Sequence, residues 1–67
     1  MDRNVCKTIK TLRKERGLSQ EEFGKLLGFS ARTVSDWENG KTEPSIATIK
    51  AMVKFFDITY DEFFEED

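Results

Sequence analysis

The sequence lacks histidine and contains a single cysteine, Cys6, among its 67 residues. One cysteine cannot form an intrachain disulfide, and without histidine the chain has too few of the usual ligands for a structural zinc site. Nucleophile–base pairs that need histidine are excluded as well, and so short a chain has little length with which to enclose a pocket. We therefore expect a protein that is not an enzyme and uses no cofactor, metal or small-molecule ligand.

Long apolar runs are also missing, since no stretch approaches the length of a membrane span or of a signal-peptide core. The unpaired thiol of Cys6 is typical of a reducing compartment. Both features predict a soluble, cytoplasmic protein with no membrane partner. A redox role for Cys6 is the alternative, but only Lys7 beside it would activate a thiol, so a partly buried structural residue is favoured.

Charge is distributed unevenly along the chain, although the formal net charge is only −2. Residues 1–54 carry all 11 lysines and arginines against 7 acidic residues, whereas residues 55–67 carry six acidic residues and no basic one. Because the local field rather than the net charge steers a nucleic acid toward a protein, the negative total does not exclude such a partner. We interpret residues 65–67 as a short, solvated acidic tail.

Start and stop signals predict five helices and no strand. Four residues are of the type that caps a helix N-terminus: Ser19 and Thr59, each followed three residues later by glutamate in a capping box, and Ser30 and Ser45. Glycines mark the ends of the first three helices: Gly17, Gly28 and, after Asn39, Gly40. The predicted helices span about 3–16, 20–27, 31–39, 46–56 and 60–65. The chain is therefore expected to be all-α, with residues 1–67 forming one domain.

Apolar residues recur every three or four positions on these helices, as they do on faces that pack into a core. The predicted core consists of Val5, Ile9, Leu12, Phe23, Leu27, Phe29, Val34, Trp37, Ile49, Met52, Val53, Phe56 and Phe63. Leu18 and Ile46 are expected to close its two ends. Leu26 does not fit this pattern and is expected to face outward.

The second and third predicted helices are each about two turns long and are joined only by Gly28, Phe29 and Ser30. So short a connection forces a steep crossing angle, which is the geometry of a helix-turn-helix. Gly24 has no side chain where the two helices would pass closest, and Gly28 can adopt the positive φ that the turn needs. A helix-turn-helix over about residues 20–39 is therefore favoured over an ordinary helical hairpin, which would not need the whole pattern.

Several motifs follow one another without gaps: Leu12-Arg13, Gly17-Leu18-Ser19-Gln20, Gly28-Phe29-Ser30, Val34-Ser35-Asp36-Trp37-Glu38-Asn39-Gly40-Lys41 and Pro44-Ser45. As a set, over about residues 5–64, they resemble the Cro/C1-type (XRE-like) helix-turn-helix domain of phage and bacterial repressors. The resemblance implies a compact five-helix, lambda-repressor-like fold. It also implies that the third helix enters the major groove of DNA while the second lies across the phosphate backbone.

On the third helix, the resemblance implies four base-reading residues, and the helical period selects the same outward positions: Ala31, Arg32, Thr33 and Asp36. Arg32 can bond guanine O6 and N7 with both arms of its guanidinium. Asp36 is four residues further on, so we expect it to pair with Arg32 and to orient that side chain. A merely solvated carboxylate is the alternative for Asp36.

Contacts with the DNA backbone are expected from Gln20, Ser30, Ser35, Asn39 and Lys41. Further candidates are Lys10, Lys14 and Arg16, for each of which a solvated helix face is the equal alternative. Gln20 begins the second helix, where free N–H groups favour a phosphate. The family pairs the positions of Arg13 and Glu38, so the resemblance implies a salt bridge between the first and third helices. We expect this pair to specify how the helices dock rather than to add much stability.

Aromatic residues crowd the acidic end of the chain, and Phe55, Tyr60 and Phe64 are candidates for a dimer contact such as many relatives of this family have. A twofold homodimer would place two recognition helices about 34 Å apart, on successive major grooves of a palindromic operator. The alternative is a cluster that closes the end of a monomer. We therefore expect a sequence-specific double-stranded DNA-binding transcriptional regulator, with repression favoured. A protein-binding module such as an antitoxin or anti-regulator, using the aromatic surface, is the main alternative.

Overall fold

The computed structural model describes residues 3–64, with side chains from Val5 onward. Five helices follow one another: α1 (Arg3–Glu15), α2 (Gln20–Leu27), α3 (Ala31–Glu38), α4 (Ile46–Phe55) and α5 (Tyr60–Phe63). The all-α, five-helix prediction is confirmed, and α1 to α4 begin and end within one residue of the expected positions. The predicted end of α5 at residue 65 and the acidic tail at 65–67 lie outside the described residues. Within residues 3–64, none of the helices is long and apolar enough to cross a membrane.

Reciprocal capping boxes begin both α2 and α5. The Ser19 hydroxyl accepts from the Glu22 backbone N–H at 3.0 Å, and the Glu22 carboxylate accepts from the Ser19 N–H at 2.8 Å. Thr59 and Glu62 exchange the same two bonds, each 3.0 Å long. Because α5 has only four residues, it could not persist as an isolated helix. Its cap and its packing against the rest of the domain must therefore hold it.

Each of the first four helices is followed within two residues by a residue with left-handed backbone, as Gly17 and Gly40 also show after α1 and α3. Gly28 follows α2 with φ 85°, which glycine adopts without steric cost. Asp57, beyond α4, has φ 55° and is the non-glycine residue with positive φ in the described chain. The turn is closed by the Ile58 N–H, which donates to the Val53 carbonyl at 3.1 Å. Asp57 therefore carries steric strain that a glycine would not, of the order of 1 kcal/mol.

Side chains from all five helices meet in one core. Its buried members are Val5, Ile9, Leu12, Phe23, Val34, Trp37, Ile49, Met52, Val53, Phe56 and Phe63, with Leu18, Leu27 and Ile58 packed against them. The rings of Phe23 and Phe56 stack with centroids 5.3 Å apart, which joins α2 to the end of α4. The expected core face is thus confirmed on every helix.

Two core predictions are wrong. Ile46 is 67% exposed and Phe29 is 38% exposed. Ile46 shares the helical period of the buried face, but it stands exposed in the first turn of α4, while Pro44, two residues earlier, is buried. Phe29 lies in the α2–α3 connection and packs only edge-on against Trp37, with ring centroids 4.9 Å apart. The helical period predicts the direction in which a side chain points. It does not predict whether another part of the protein lies there to cover the side chain.

Arg16 links the end of α1 to the end of α4. Its Nη2 donates to the Phe56 carbonyl at 2.8 Å, and its guanidinium carbon lies 5.4 Å from the centroid of the Phe56 ring. A basic side chain at a helix C-terminus satisfies a carbonyl that has no partner within the helix. Arg16, named above as a further candidate for a DNA-backbone contact, is therefore used within the fold, in a contact between the ends of α1 and α4.

Candidate nucleic-acid interface

The crossing of α2 and α3 depends on the absence of a side chain at Gly24. A Cβ atom built there would lie 2.5 Å from the Phe29 carbonyl oxygen, which is far closer than such atoms approach. The Phe29 N–H also donates to the Gly24 carbonyl at 2.7 Å. The connection therefore folds back directly onto α2, and this close packing sets the position of α3.

α3 has two distinct faces. Val34 and Trp37 are buried in the core, so the first two turns of the helix present their other side chains at the surface. Arg32 is exposed there, and three neighbours are half-buried: Ala31, Thr33 and Asp36. The four predicted base-reading residues thus share one accessible side of a helix that is anchored from behind.

Arg32 and Asp36 form an ion pair on this surface, as the four-residue spacing predicted. Arg32 Nε lies 3.6 Å from Asp36 Oδ1, with the arginine side chain 85% exposed and the aspartate 22% exposed. An exposed pair of this kind adds little to stability. Its main physical effect is therefore to restrict where the guanidinium points, while most of the arginine side chain stays exposed.

At each end of α3, two short polar side chains form a hydrogen bond with each other. The hydroxyls of Ser30 and Thr33 lie 3.1 Å apart at the start of the helix. At its end, the Asn39 side-chain amide donates to the Ser35 hydroxyl oxygen at 3.2 Å. Because a hydroxyl that accepts a hydrogen bond keeps its own O–H, Ser35 can still donate to an outside acceptor.

The loop after α3 brings Lys41 back to the same region. Its backbone N–H donates to the carbonyl of Asp36 at 2.9 Å, and its side chain is exposed. A cation is thereby held next to the C-terminal end of α3. This position is suited to a phosphate flanking the surface of the helix.

Arg13 and Glu38 join α1 to the end of α3, at the position that the resemblance implied. Arg13 Nε donates to Glu38 Oε2 at 2.7 Å, and Nη2 donates to Oε1 at 3.2 Å. Only 12% of the arginine side chain and 4% of the glutamate side chain are exposed. These hydrogen bonds raise the pKa of the Arg13 guanidinium, against the desolvation that burial imposes.

The same network also holds the start of α2, which sequence reasoning missed. Arg13 Nη1 donates to the Leu18 carbonyl at 2.8 Å, and Gln20 Nε2 donates to Glu38 Oε1 at 3.2 Å. Gln20 and Glu38 are 18 positions apart, so their contact depends on how α2 and α3 cross. In the sequence, Gln20 was predicted only as a phosphate contact at the start of α2, and its bond to Glu38 was not predicted.

A family model described as helix-turn-helix matches residues 9–63, the greater part of the chain. The chain belongs to the Cro/C1-type helix-turn-helix family. No solved structure matches it at a significant level. The predicted family and the observed α2–α3 geometry therefore agree.

The curated proteins to which the chain is similar have different functions in their names. The chain is 37% identical over 54 residues to the HTH-type transcriptional activator BcrR of Enterococcus faecalis, covering 81% of the chain and 26% of BcrR. It is 36% identical over 63 residues to the antitoxin PezA of Streptococcus pneumoniae, covering 94% of the chain and 40% of PezA. It is 40% identical over 60 residues to the type II methyltransferase M.SsoII of Shigella sonnei, covering 85% of the chain and 16% of that enzyme. The chain thus spans less than half of each of these proteins.

The three candidates for a dimer contact at the end of this helix-turn-helix domain, Phe55, Tyr60 and Phe64, are all exposed. The rings of Phe55 and Phe64 contact the buried Phe56 and Phe63, each at a centroid distance of 5.1 Å, rather than each other. Leu26 is exposed on α2, as expected. The aromatic side chains are therefore available at the surface, on elements other than those that carry the α3 face.

Proposed function

We propose that this helix-turn-helix domain binds double-stranded DNA in a sequence-specific manner and acts as a transcriptional regulator. The observation that carries the proposal is the accessible side of α3 with Arg32 at its centre, on a helix whose other side is locked into the core. The family and the printed role of BcrR, a transcriptional activator, support the same conclusion. The surface is small and polar, which suits the edges of bases better than it suits a protein groove.

Base reading is assigned to the four surface residues of α3, with the helix in the major groove. Arg32 takes guanine through O6 and N7, and Asp36 restricts its guanidinium to the orientation that this contact needs. Thr33 contacts a base edge or a thymine methyl group, while Ala31 offers an apolar contact only. With one strong base reader, the intrinsic specificity of a single domain is modest.

Backbone contacts are assigned to two groups of residues that flank the α3 surface. Gln20 and Ser30 stand at the starts of α2 and α3, where backbone N–H groups and the helix dipole favour a phosphate. Ser35, Asn39 and Lys41 stand at the far end of α3. Contacts of this kind position the protein on the duplex and make its affinity salt-dependent.

A homodimer on a palindromic operator is the assembly that we propose, with Phe55, Tyr60 and Phe64 at the contact. Exposed aromatic side chains favour association, and pairing two modest readers multiplies their specificity. Repression is the outcome we assign, because a dimer that covers two successive major grooves excludes other proteins from that DNA. Light scattering tests the assembly: Phe64→Ala should shift the chain toward monomer, and a wild-type monomer at high concentration would contradict the dimer.

Selection of bound sequences from a random duplex pool tests DNA binding and specificity together. We expect an enriched site with two symmetric half-sites and an affinity that falls steeply with salt concentration. Arg32→Ala should lose the preference for guanine at one position per half-site, at a cost of about 1–3 kcal/mol. Lys54→Ala removes an exposed cation of α4 and serves as the matched control, with an unchanged preference. Absence of salt-dependent duplex binding would contradict the proposal.

A protein-binding module is the second candidate, and the exposed aromatic residues together with the similarity to the antitoxin PezA favour it. In that case Phe55, Tyr60 and Phe64 contact a partner protein rather than a second copy of the chain. The acidic residues beside them would then select a basic partner. This candidate predicts little duplex binding at any salt concentration, and loss of partner binding in Phe64→Ala without loss of folding.

A further inference from the structure

Glu38 accepts a hydrogen bond from Gln20 in addition to the two from Arg13, the cation that neutralises its charge. Its two carboxylate oxygens are already matched by Arg13, through Nε on Oε2 and Nη2 on Oε1. Gln20 Nε2 adds a third bond, 3.2 Å long, to Oε1. The carboxylate is almost completely buried, whereas Gln20 is only half-buried at the first position of α2. The extra bond therefore acts on Gln20, which reaches the surface, more than on Glu38.

A carboxylate determines which end of the Gln20 amide faces it. An ionised carboxylate only accepts hydrogen bonds, so the nitrogen end of the amide must be turned toward Glu38 and the oxygen end away from it. The amide nitrogen carries two hydrogens, and Glu38 takes one of them. Since the two N–H bonds diverge by about 120° in a planar amide, the second hydrogen is directed away from Glu38 and remains able to donate.

We propose that Glu38 is a positioning residue for DNA binding, which fixes the Gln20 amide so that its second N–H meets a phosphate at the start of α2. The inference rests on the proposed DNA-binding function and names the device that prepares one of its backbone contacts. With the amide free to rotate, Gln20 would present its oxygen to a phosphate in part of its conformations, and that arrangement is repulsive. Arg13 keeps the Glu38 charge neutralised, so the acidic group does not itself oppose DNA.

A double-mutant cycle separates this role from simple support of the fold. Gln20→Met removes the amide at nearly constant size, and its effect on duplex affinity is measured in three backgrounds. In the wild type we expect a loss of about tenfold, the order of magnitude of a hydrogen bond to a charged group. In Glu38→Gln the acceptor can face either end of the amide, so Gln20→Met should cost less than about twofold, because the contact is already impaired.

Arg13→Lys is the matched control background, because it weakens the ion pair but leaves the carboxylate that orients Gln20. There Gln20→Met should still cost about tenfold. Equal losses in all three backgrounds would overturn the inference, since Glu38 would then support the fold only. Urea unfolding of each variant defines the conditions under which it is folded. If Glu38→Gln does not fold, the paired variant Arg13→Met with Glu38→Leu removes the acceptor without leaving a buried charge.

Side-chain NMR of the free protein provides a readout that needs no DNA. The two Gln20 amide hydrogens should differ strongly in chemical shift and exchange rate in the wild type and in Arg13→Lys, and much less in Glu38→Gln. Unchanged amide signals in Glu38→Gln would overturn the inference while leaving the proposed function intact. Failure of the wild type to bind any selected duplex would overturn the proposed function and the inference together.

Discussion

The α2–α3 unit and the α5 end of the molecule are attached to the same core by different means. At α2 and α3 the packing is joined by directional contacts: the close approach at Gly24, and the bonds of Glu38 to Arg13 and Gln20. At α5 one buried ring, Phe63, and one capping box hold four residues. Hydrophobic burial is non-directional, whereas hydrogen bonds fix angles. Directional contacts are therefore concentrated where the orientation of α2 relative to α3 must be fixed.

The two regions also differ in the charges that they expose. Arg32 and Lys41 are exposed on and beside α3, together with the exposed Glu43 and the half-buried Asp36. Between residues 55 and 64 the exposed charged residues are Asp57, Asp61 and Glu62, with no basic residue. The first region therefore mixes both signs of charge, whereas the second is acidic and repels a phosphate backbone.

Removing the buried ring of α5 should have the largest effect. Phe63→Ala should lower the free energy of unfolding by about 4 kcal/mol, because it deletes a fully buried aromatic side chain and leaves a cavity. Urea denaturation followed by Trp37 fluorescence measures the loss. Phe64→Ala removes the same atoms from an exposed neighbour and should cost no more than about 0.5 kcal/mol under conditions where the chain is monomeric. Similar losses in the two variants would mean that α5 is not anchored by Phe63.

Breaking the polar network of the α2–α3 unit should have the next largest effect. Arg13→Met should cost about 3 kcal/mol, because it leaves the Glu38 carboxylate buried without its cation. Adding Glu38→Leu should restore unfolding stability to within about 1 kcal/mol of the wild type, since a well-packed apolar pair can replace a buried ion pair. Duplex affinity should not return in the double variant. Recovery of both properties would show that the network sets no orientation that DNA binding needs.

Relieving the backbone strain after α4 should have a smaller effect, and in the opposite direction: it should raise the free energy of unfolding. Asp57→Gly should stabilise the fold by about 0.5–1 kcal/mol, because glycine adopts a φ of 55° without steric cost. The same change at Asp61, inside α5, should destabilise it by about 0.5 kcal/mol, through helix propensity and the loss of an acidic side chain from the first turn. Thermal melts of the two variants should therefore shift in opposite directions. Melts that shift in the same direction would contradict the assigned strain.

The smallest expected effect concerns the capping box that opens α2. Hydrogen bonds from Ser19, first from its backbone N–H and then from its hydroxyl, hold the pKa of Glu22 below the usual 4.5. Because the folded pKa is the lower one, the stabilisation is present above the unfolded pKa and is lost as the pH falls through the folded value. The difference in unfolding free energy between wild type and Glu22→Gln should thus shrink as the pH falls below 4.5. A difference independent of pH would contradict the charge-assisted cap.

Local signals were sufficient for the helices, because caps and left-handed glycines act within a few residues. Ser19 with Glu22 and Thr59 with Glu62 predicted two helix starts to the residue, and Gly28 predicted the end of α2. They were insufficient for burial at the edges of the core. Ile46 has the right period but is exposed in the first turn of α4, because a period does not report whether another residue lies opposite the side chain.

The candidate site divides in the same way. The i,i+4 spacing was enough to predict the pairing of Arg32 with Asp36, since one helix turn brings them together. Arg13 with Glu38 was available only through the family resemblance. The bonds from Arg16 to Phe56 and from Gln20 to Glu38 had no local signal, because each joins residues from different helices.

By itself, the sequence determined five helices, their caps and the accessible side of α3, because propensity, capping and helical period are local properties of the chain. Tertiary structure alone decided that the buried Glu38 holds Arg13 and Gln20 at once, that Arg16 closes the end of α4, and that Phe55 and Phe64 lie against buried rings with their outer sides exposed. Those contacts join residues distant in sequence. They exist only once the crossing of α2 and α3 and the docking of α4 and α5 have set the distances between them.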